Sequence, residues 1–196
     1  MISAMNNERI MKKHIRENYG NEFEIIRKAL GGHGSAGRNY DALYISQNDI
    51  TYYVAAHQGK IIQDEYNNKM TGKILSDYLL SIVGEPSFDF DLDCEVRGDV
   101  YNYILSYVIT DIDEIKRNNV DIRLRLYNIS KESLRELVWL YEFYNVTVST
   151  EIDNLSLLIS VYEGKTFNSS YFSFKPRKYA DFTEEEFFNQ FEYREG

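Results

Sequence analysis

The glycines of "LGGHGSAGRNYDALYIS" (Leu30–Ser46) stand as Gly32-x-Gly34-x-x-Gly37, the spacing with which a backbone cradles a dinucleotide or a phosphate. That chemistry needs a strand before the glycines and a helix directly after, so that the helix N-terminus meets the pyrophosphate. Here "RNYDALYIS" reads as a strand, and no acidic residue about 20 positions on closes a parallel strand. A kinase-type glycine loop does lie between strands, and Lys60 invites that comparison. Arg38 and Asn39 stand where a packed valine should follow, however, and neither an HRD nor a DFG triplet occurs. The loop is expected to be a hairpin tip where glycine supplies positive φ. His14, His33 and His57 fall on three different elements without HExxH or Cys/His spacing, and no G-x-S-x-G elbow exists. Cys94 alternates with Phe and Leu, which reads as a core position. The expectation is a non-enzymatic chain with no catalytic set, no cofactor and no metal.

One pattern keeps a functional claim. In "SFDFDLDCEV" the residues Phe88, Phe90, Leu92, Cys94 and Val96 fall on one strand face, and Asp89, Asp91, Asp93 and Glu95 on the other. Same-face neighbours lie roughly 6.8 Å apart. Each adjacent acidic pair repels by about 0.6 kcal/mol in water, which a solvated face tolerates. Calcium needs oxygens converging on one point, whereas a straight strand splays them. The ladder is either offset by Arg123 and Arg125, should their strand lie alongside, or forms a recognition strip for a basic protein partner. In the second case Asn102 and Ser106 are its neighbours. Arg97-Gly98-Asp99 then turns the chain, and a hairpin pairing Val96 with Tyr101, Cys94 with Tyr103, Leu92 with Leu105 and Phe90 with Tyr107 matches apolar to apolar.

The elements that must position these residues follow from periodicity. Asn6–Tyr19 and Asn67–Ile82 read as helices, the latter ended by Gly84 and Pro86. "EFEIIRKAL", with Phe23, Ile25 and Arg27 on one face, "DALYIS", "DITYYVAAHQ" and "GKIIQDEY" read as a meander. "VYNYILSYVIT" and "VDIRLRLYN" are expected strands, followed by a helix over "SKESLRELVWLYEFYN" capped by Ser130. "VTVST", "LSLLISVYEG" and "SSYFSFKP" read as three last strands, and Thr183 with Glu186 as a capping box opening a terminal helix. The expected fold is α+β, a mainly antiparallel sheet built from consecutive hairpins with about four helices, mostly on one face. Residues 1–196 read as a single domain, with three-strands-plus-helix units near 22–84, 87–144 and 145–191.

The chain of 196 residues is long enough to bury a core, and its 17 Tyr and 11 Phe favour half-buried sheet surfaces. A formal charge of −9 repels phosphate backbones and anionic lipid, which excludes nucleic acid as an expected partner and suits a basic protein. One cysteine excludes an intrachain disulfide. No stretch is apolar enough to span a membrane, and the start lacks the apolar core of a signal peptide.

"IMKKHIRENYGNEFEI" (Ile10–Ile25) resembles the opening of small exported proteins of Gram-positive bacteria, in which a basic helix and a Tyr-Gly-x-x-Phe-Glu element follow a membrane anchor. Among these, an acidic α+β chain of this size is similar to the TipC-like immunity proteins that protect streptococci from type VII-secreted LXG toxins. The resemblance implies an extracytoplasmic, non-enzymatic protein, membrane-anchored in its precursor through a segment absent from this chain, that neutralises a cognate toxin by binding it. Three alternatives stay open: a small-molecule-binding or enzymatic domain with a site near His57 and the glycine loop, an accessory lipoprotein of a surface apparatus, and a cytoplasmic location.

Overall fold

A computed structural model describes residues 2–33, 39–98, 104–130, 132–165, 171–175 and 181–194. The fold is α+β, and the chain divides into two compact units, Met1–Met70 with Asn102–Val108 and Thr71–Tyr101 with Ile109–Gly196.

The first unit holds helix α1 (Ile2–Tyr19) and strands β1 (Glu24–His33), β2 (Asn39–Gln47), β3 (Ile50–His57) and β4 (Lys60–Asp64), paired in that order as an antiparallel meander. The β2–β3 and β3–β4 turns put positive φ at Asn48 and Asp49, and at Gln58 and Gly59. That is the two-residue geometry whose twist matches the flanking strands. Met11 and Ile15 of α1 are fully buried against Leu43, Ile45, Tyr52, Val54 and Ala56. The register pairs Leu43 with Val54 and Ile45 with Tyr52, so strict alternation delivers one apolar face. The register shifts at three places on the end strands, one of them between Ala29 and Gly32, and the other two each leave a single extra residue. Ile26 is the extra residue between the pairs Ile25–Ile45 and Arg27–Tyr44, and Ile62 is the extra residue between Ala56–Ile61 and Ala55–Gln63. A bulge moves its residue out of the inward row, and both isoleucines are about half exposed. The same bulge turns Arg27 out of the expected inward row and over the Tyr44 ring, at 5.2 Å.

Helix α2 (Tyr66–Val83) leads into the second unit, which carries β5 (Phe90–Arg97), α3 (Ile112–Ile115), β6 (Asn119–Leu126), a 3₁₀ turn (Leu134–Glu136), α4 (Val138–Ser149), β7 (Asn154–Tyr162), β8 (Tyr171–Phe174), α5 (Glu184–Phe188) and β9 (Glu192–Arg194). The sheet order is β5-β6-β7-β8-β9. All neighbours are antiparallel except β6 and β7, which run parallel because α4 crosses over between them. Val120, Ile122, Leu124 and Leu126 are buried in β6, as are Leu157, Ile159 and Val161 in β7. Ring contacts seat α4 on the sheet: Tyr144 lies 5.3 Å from Phe174, and Trp139 lies 6.2 Å from Phe90. The capping box forms as expected, with Thr183 and Glu186 bonding reciprocally.

Three sequence expectations change. Of the expected hairpin, the Leu92–Leu105 and Phe90–Tyr107 pairs do not form, because residues 104–110 form no strand and β5 pairs with β6; Tyr101 and Tyr103, the partners expected for Val96 and Cys94, lie outside the described residues. β6 matches both faces of β5 at once, apolar to apolar and Asp to Arg, whereas Asn102 and Ser106 would have offered the carboxylates no cation. The displaced segment bonds to α2 side chains instead. Leu105 N donates to Asn68 Oδ1 at 3.0 Å, and Ile109 N donates to Thr71 Oγ1 at 2.9 Å. Val146–Ser149 continues α4 rather than forming a strand, and Ser130 does not cap the helix but accepts from Ser133 N in a turn ahead of the 3₁₀ segment, the helix N-cap being Leu137. Burial of Phe143, Tyr144 and Thr147 on one helical face overrides the β preference of Val-Thr-Val.

That override leaves Thr147 Oγ1 buried without a hydrogen-bond partner. Thr147→Val keeps the shape and removes the orphan, so it should raise stability by about 1 kcal/mol, read from chemical denaturation.

Candidate functional site

The acidic ladder lies in the second unit on β5, and β6 answers it residue by residue. Asp91 stands opposite Arg125, with Arg125 Nη1 2.6 Å from Asp91 Oδ2, and Asp93 stands opposite Arg123. Glu95 faces Asp121, a like-charge pair that repels on its own. Arg97 resolves it: Nε and Nη2 grip the two Glu95 oxygens at 2.9 and 3.0 Å, and Nη2 also reaches Asp121 at 2.9 Å. Asn128 Nδ2 donates to Asp89 Oδ2 at 3.2 Å. Along the row, Arg125 continues into Ser160 and Ser173, and Arg123 into Leu158. At the sheet end three phenol rings line up, Tyr127 stacked 5.5 Å from Tyr162 and Tyr162 5.2 Å from Tyr171. Partial burial, followed by the Asp91 charge, pushes the Tyr127 phenol up.

The face is therefore one of alternating sign rather than a bare acidic strip. Asp91 keeps 48% of its side chain exposed and Arg123 keeps 40%, so both remain open to a partner. Glu95 is more enclosed, at 15%. Because Asp91 is half exposed, its pair with Arg125 should couple by only about 0.2–1 kcal/mol in a double-mutant cycle of Asp91→Ala and Arg125→Ala, shrinking in high salt. Ser106 is exposed in the non-strand segment and is not a cross-strand neighbour of the ladder; Asn102 lies outside the described residues.

The other candidate residues separate. Gly32 lies in β1 opposite Tyr40, Gly34 and Gly37 lie outside the described residues, and β2 follows with His33 paired to Asn39. A strand after the glycines gives no helix N-terminus to receive a phosphate. Cys94 is a buried free thiol opposite Ile122. Among the described residues no group of three or more His, Cys, Asp or Glu converges as a metal site.

The first unit contains a cluster that sequence spacing did not reveal. Asp64 Oδ2 accepts from Tyr19 OH at 2.6 Å and contacts His14 Nε2 at 2.6 Å, while Oδ1 accepts from Tyr66 N at 3.0 Å. Tyr19 stacks on Tyr66 at 3.8 Å, and Tyr52 meets both edge-on. The second ring nitrogen of His14 faces Asn18 Nδ2 at 3.2 Å, where a triad would present its nucleophile. The cluster ties α1 to β4 and the start of α2 and presents no attacking group. Its one advance signal is that His14 and Tyr19 share the helix face of Met11 and Ile15.

Burial raises the Tyr19, Tyr52 and Tyr53 phenols, with the Asp64 carboxylate adding for the first two and Glu65 for the third. A raised phenol contributes fully while both states are neutral, below about pH 10. Above that the unfolded chain ionises first and the contribution is lost. Stability should hold to about pH 10 and then fall steeply, with phenolate absorbance of the native protein lagging behind that of the unfolded chain.

No protein-family model matches the chain, and no curated protein matches it. Among solved structures it is similar to a DUF5037 family protein from Ruminococcus gnavus ATCC 29149, at 14% identity and a TM-score of 0.57, over 95% of this chain and 97% of that one. At this identity the likeness is one of fold, extending through both units.

Proposed function

We propose that the chain is a non-enzymatic binding protein, an immunity protein that neutralises a secreted bacterial toxin by direct contact. The observation that carries the proposal is the β5–β6 face, where half-exposed Asp91 and Arg123 lie beside a tyrosine row. Tyr and Arg are the residues that dominate binding energy at interfaces. The net charge of −9 steers a basic partner toward the protein from a distance. The precursor is proposed to be anchored outside the membrane; among the described residues no helix is long and apolar enough to cross one.

The test is rescue. A toxin encoded beside the gene is expressed with this chain, or with the Asp89→Lys/Asp91→Lys variant after circular dichroism confirms its fold. The proposal expects rescue by the first and its loss with the second. Absence of rescue by the wild-type chain contradicts the immunity reading.

A further inference from the structure

A groove of about 310 Å³ opens in the second unit between the 3₁₀ turn and α5, lined by Arg135, Glu184, Glu185 and Phe188. Its charges are opposite in sign yet do not meet. Arg135 Nη2 donates to Asn189 Oδ1 at 2.8 Å, which fixes the guanidinium without neutralising it. Glu186, the third glutamate of the run, is committed to the cap, accepting from Thr183 N and Oγ1 at 2.8 and 2.9 Å. Glu184 and Glu185 are left to the groove, and among the described residues neither comes within 4.0 Å of Arg135 as an ion pair. Phe188 is 6% exposed and supplies apolar surface between them.

We propose that this groove binds a zwitterionic ligand of dipeptide size, its carboxylate on Arg135, its ammonium on Glu184 and Glu185, and an apolar side chain on Phe188. A plain anion is repelled by the two carboxylates and a plain cation by the guanidinium, so only a ligand carrying both charges gains at both walls. The volume falls at the small end of ligand-sized pockets. The inference is independent of the β5–β6 face.

Isothermal titration of the full chain with leucyl-leucine, N-acetyl-leucyl-leucine and leucyl-leucinamide tests it. The zwitterion should bind saturably, and each blocked form, lacking one charge, should bind about tenfold more weakly or worse. Arg135→Gln should lose the preference for a free carboxylate, and Glu184→Gln/Glu185→Gln the preference for a free amine, with melting temperatures unchanged because these side chains are exposed. Absence of saturable heat, equal binding of all three ligands, or variants that bind like the wild type would overturn it.

Discussion

Gly72→Ala is expected to destabilise the protein by at least about 3 kcal/mol, although alanine is the better helix former by about 1 kcal/mol. Gly72 lies inside α2, where its missing side chain faces β5. A Cβ there would sit 1.8 Å from Cys94 O, 2.6 Å from Cys94 C and 3.3 Å from Glu95 N. These are backbone atoms of a paired strand and cannot rotate aside, so α2 or β5 must move. Moving β5 disturbs its register with β6 and with it the Asp91–Arg125 and Arg97–Asp121 pairs. Gly84→Ala is the control. Its φ of +75° and empty surroundings leave only left-handed strain, about 1 kcal/mol. Urea denaturation of both variants separates the two causes. A Gly72→Ala protein as stable as the wild type would mean that α2 does not approach β5 as described.

Phe187→Ala should cost about 3–5 kcal/mol, a fall in melting temperature on the order of 10 °C for a chain this long. Phe187 is fully buried at the meeting of α4, β8 and α5. Its ring lies 4.9 Å from both Tyr144 and Phe174, 5.0 Å from Phe188 and 5.3 Å from Phe191. With Tyr141 at 5.7 Å as a further aromatic neighbour, the surrounding rings cannot collapse into the space of one ring, so the cavity term stays large. Tyr193→Ala, at a side chain 49% exposed on β9, should stay within about 0.5 kcal/mol. Calorimetry of the pair distinguishes loss of this cluster from a general loss of aromatic surface.

How much could be read in advance depended on the range of the deciding interaction. The β1–β4 meander and α2 carry their signals locally, in alternation, turn residues and helical stripes, and they form as expected. The Phe90–Val96 face was legible for the same reason, and so was the chance that Arg123 and Arg125 would answer the ladder. What was not legible is which strand sits beside β5. Residues 101–107 and 120–126 both match its apolar face, and only β6 also matches its charges. The parallel β6–β7 pair depends on α4 running through Val146–Ser149, where long-range burial outweighs local preference. Arg97 bridging Glu95 and Asp121, and Asp64 joining His14 and Tyr19, join side chains that only the finished sheets bring together.

The central claim is that the β5–β6 face binds a basic protein. The direct measurement immobilises the chain and the Asp89→Lys/Asp91→Lys variant side by side and exposes both to secreted and surface proteins of the parent organism, at low and high salt. The account predicts one stoichiometric basic protein held by the wild type, released by salt, and held about tenfold more weakly or worse by the variant. Equal retention by both, or retention by neither, contradicts it.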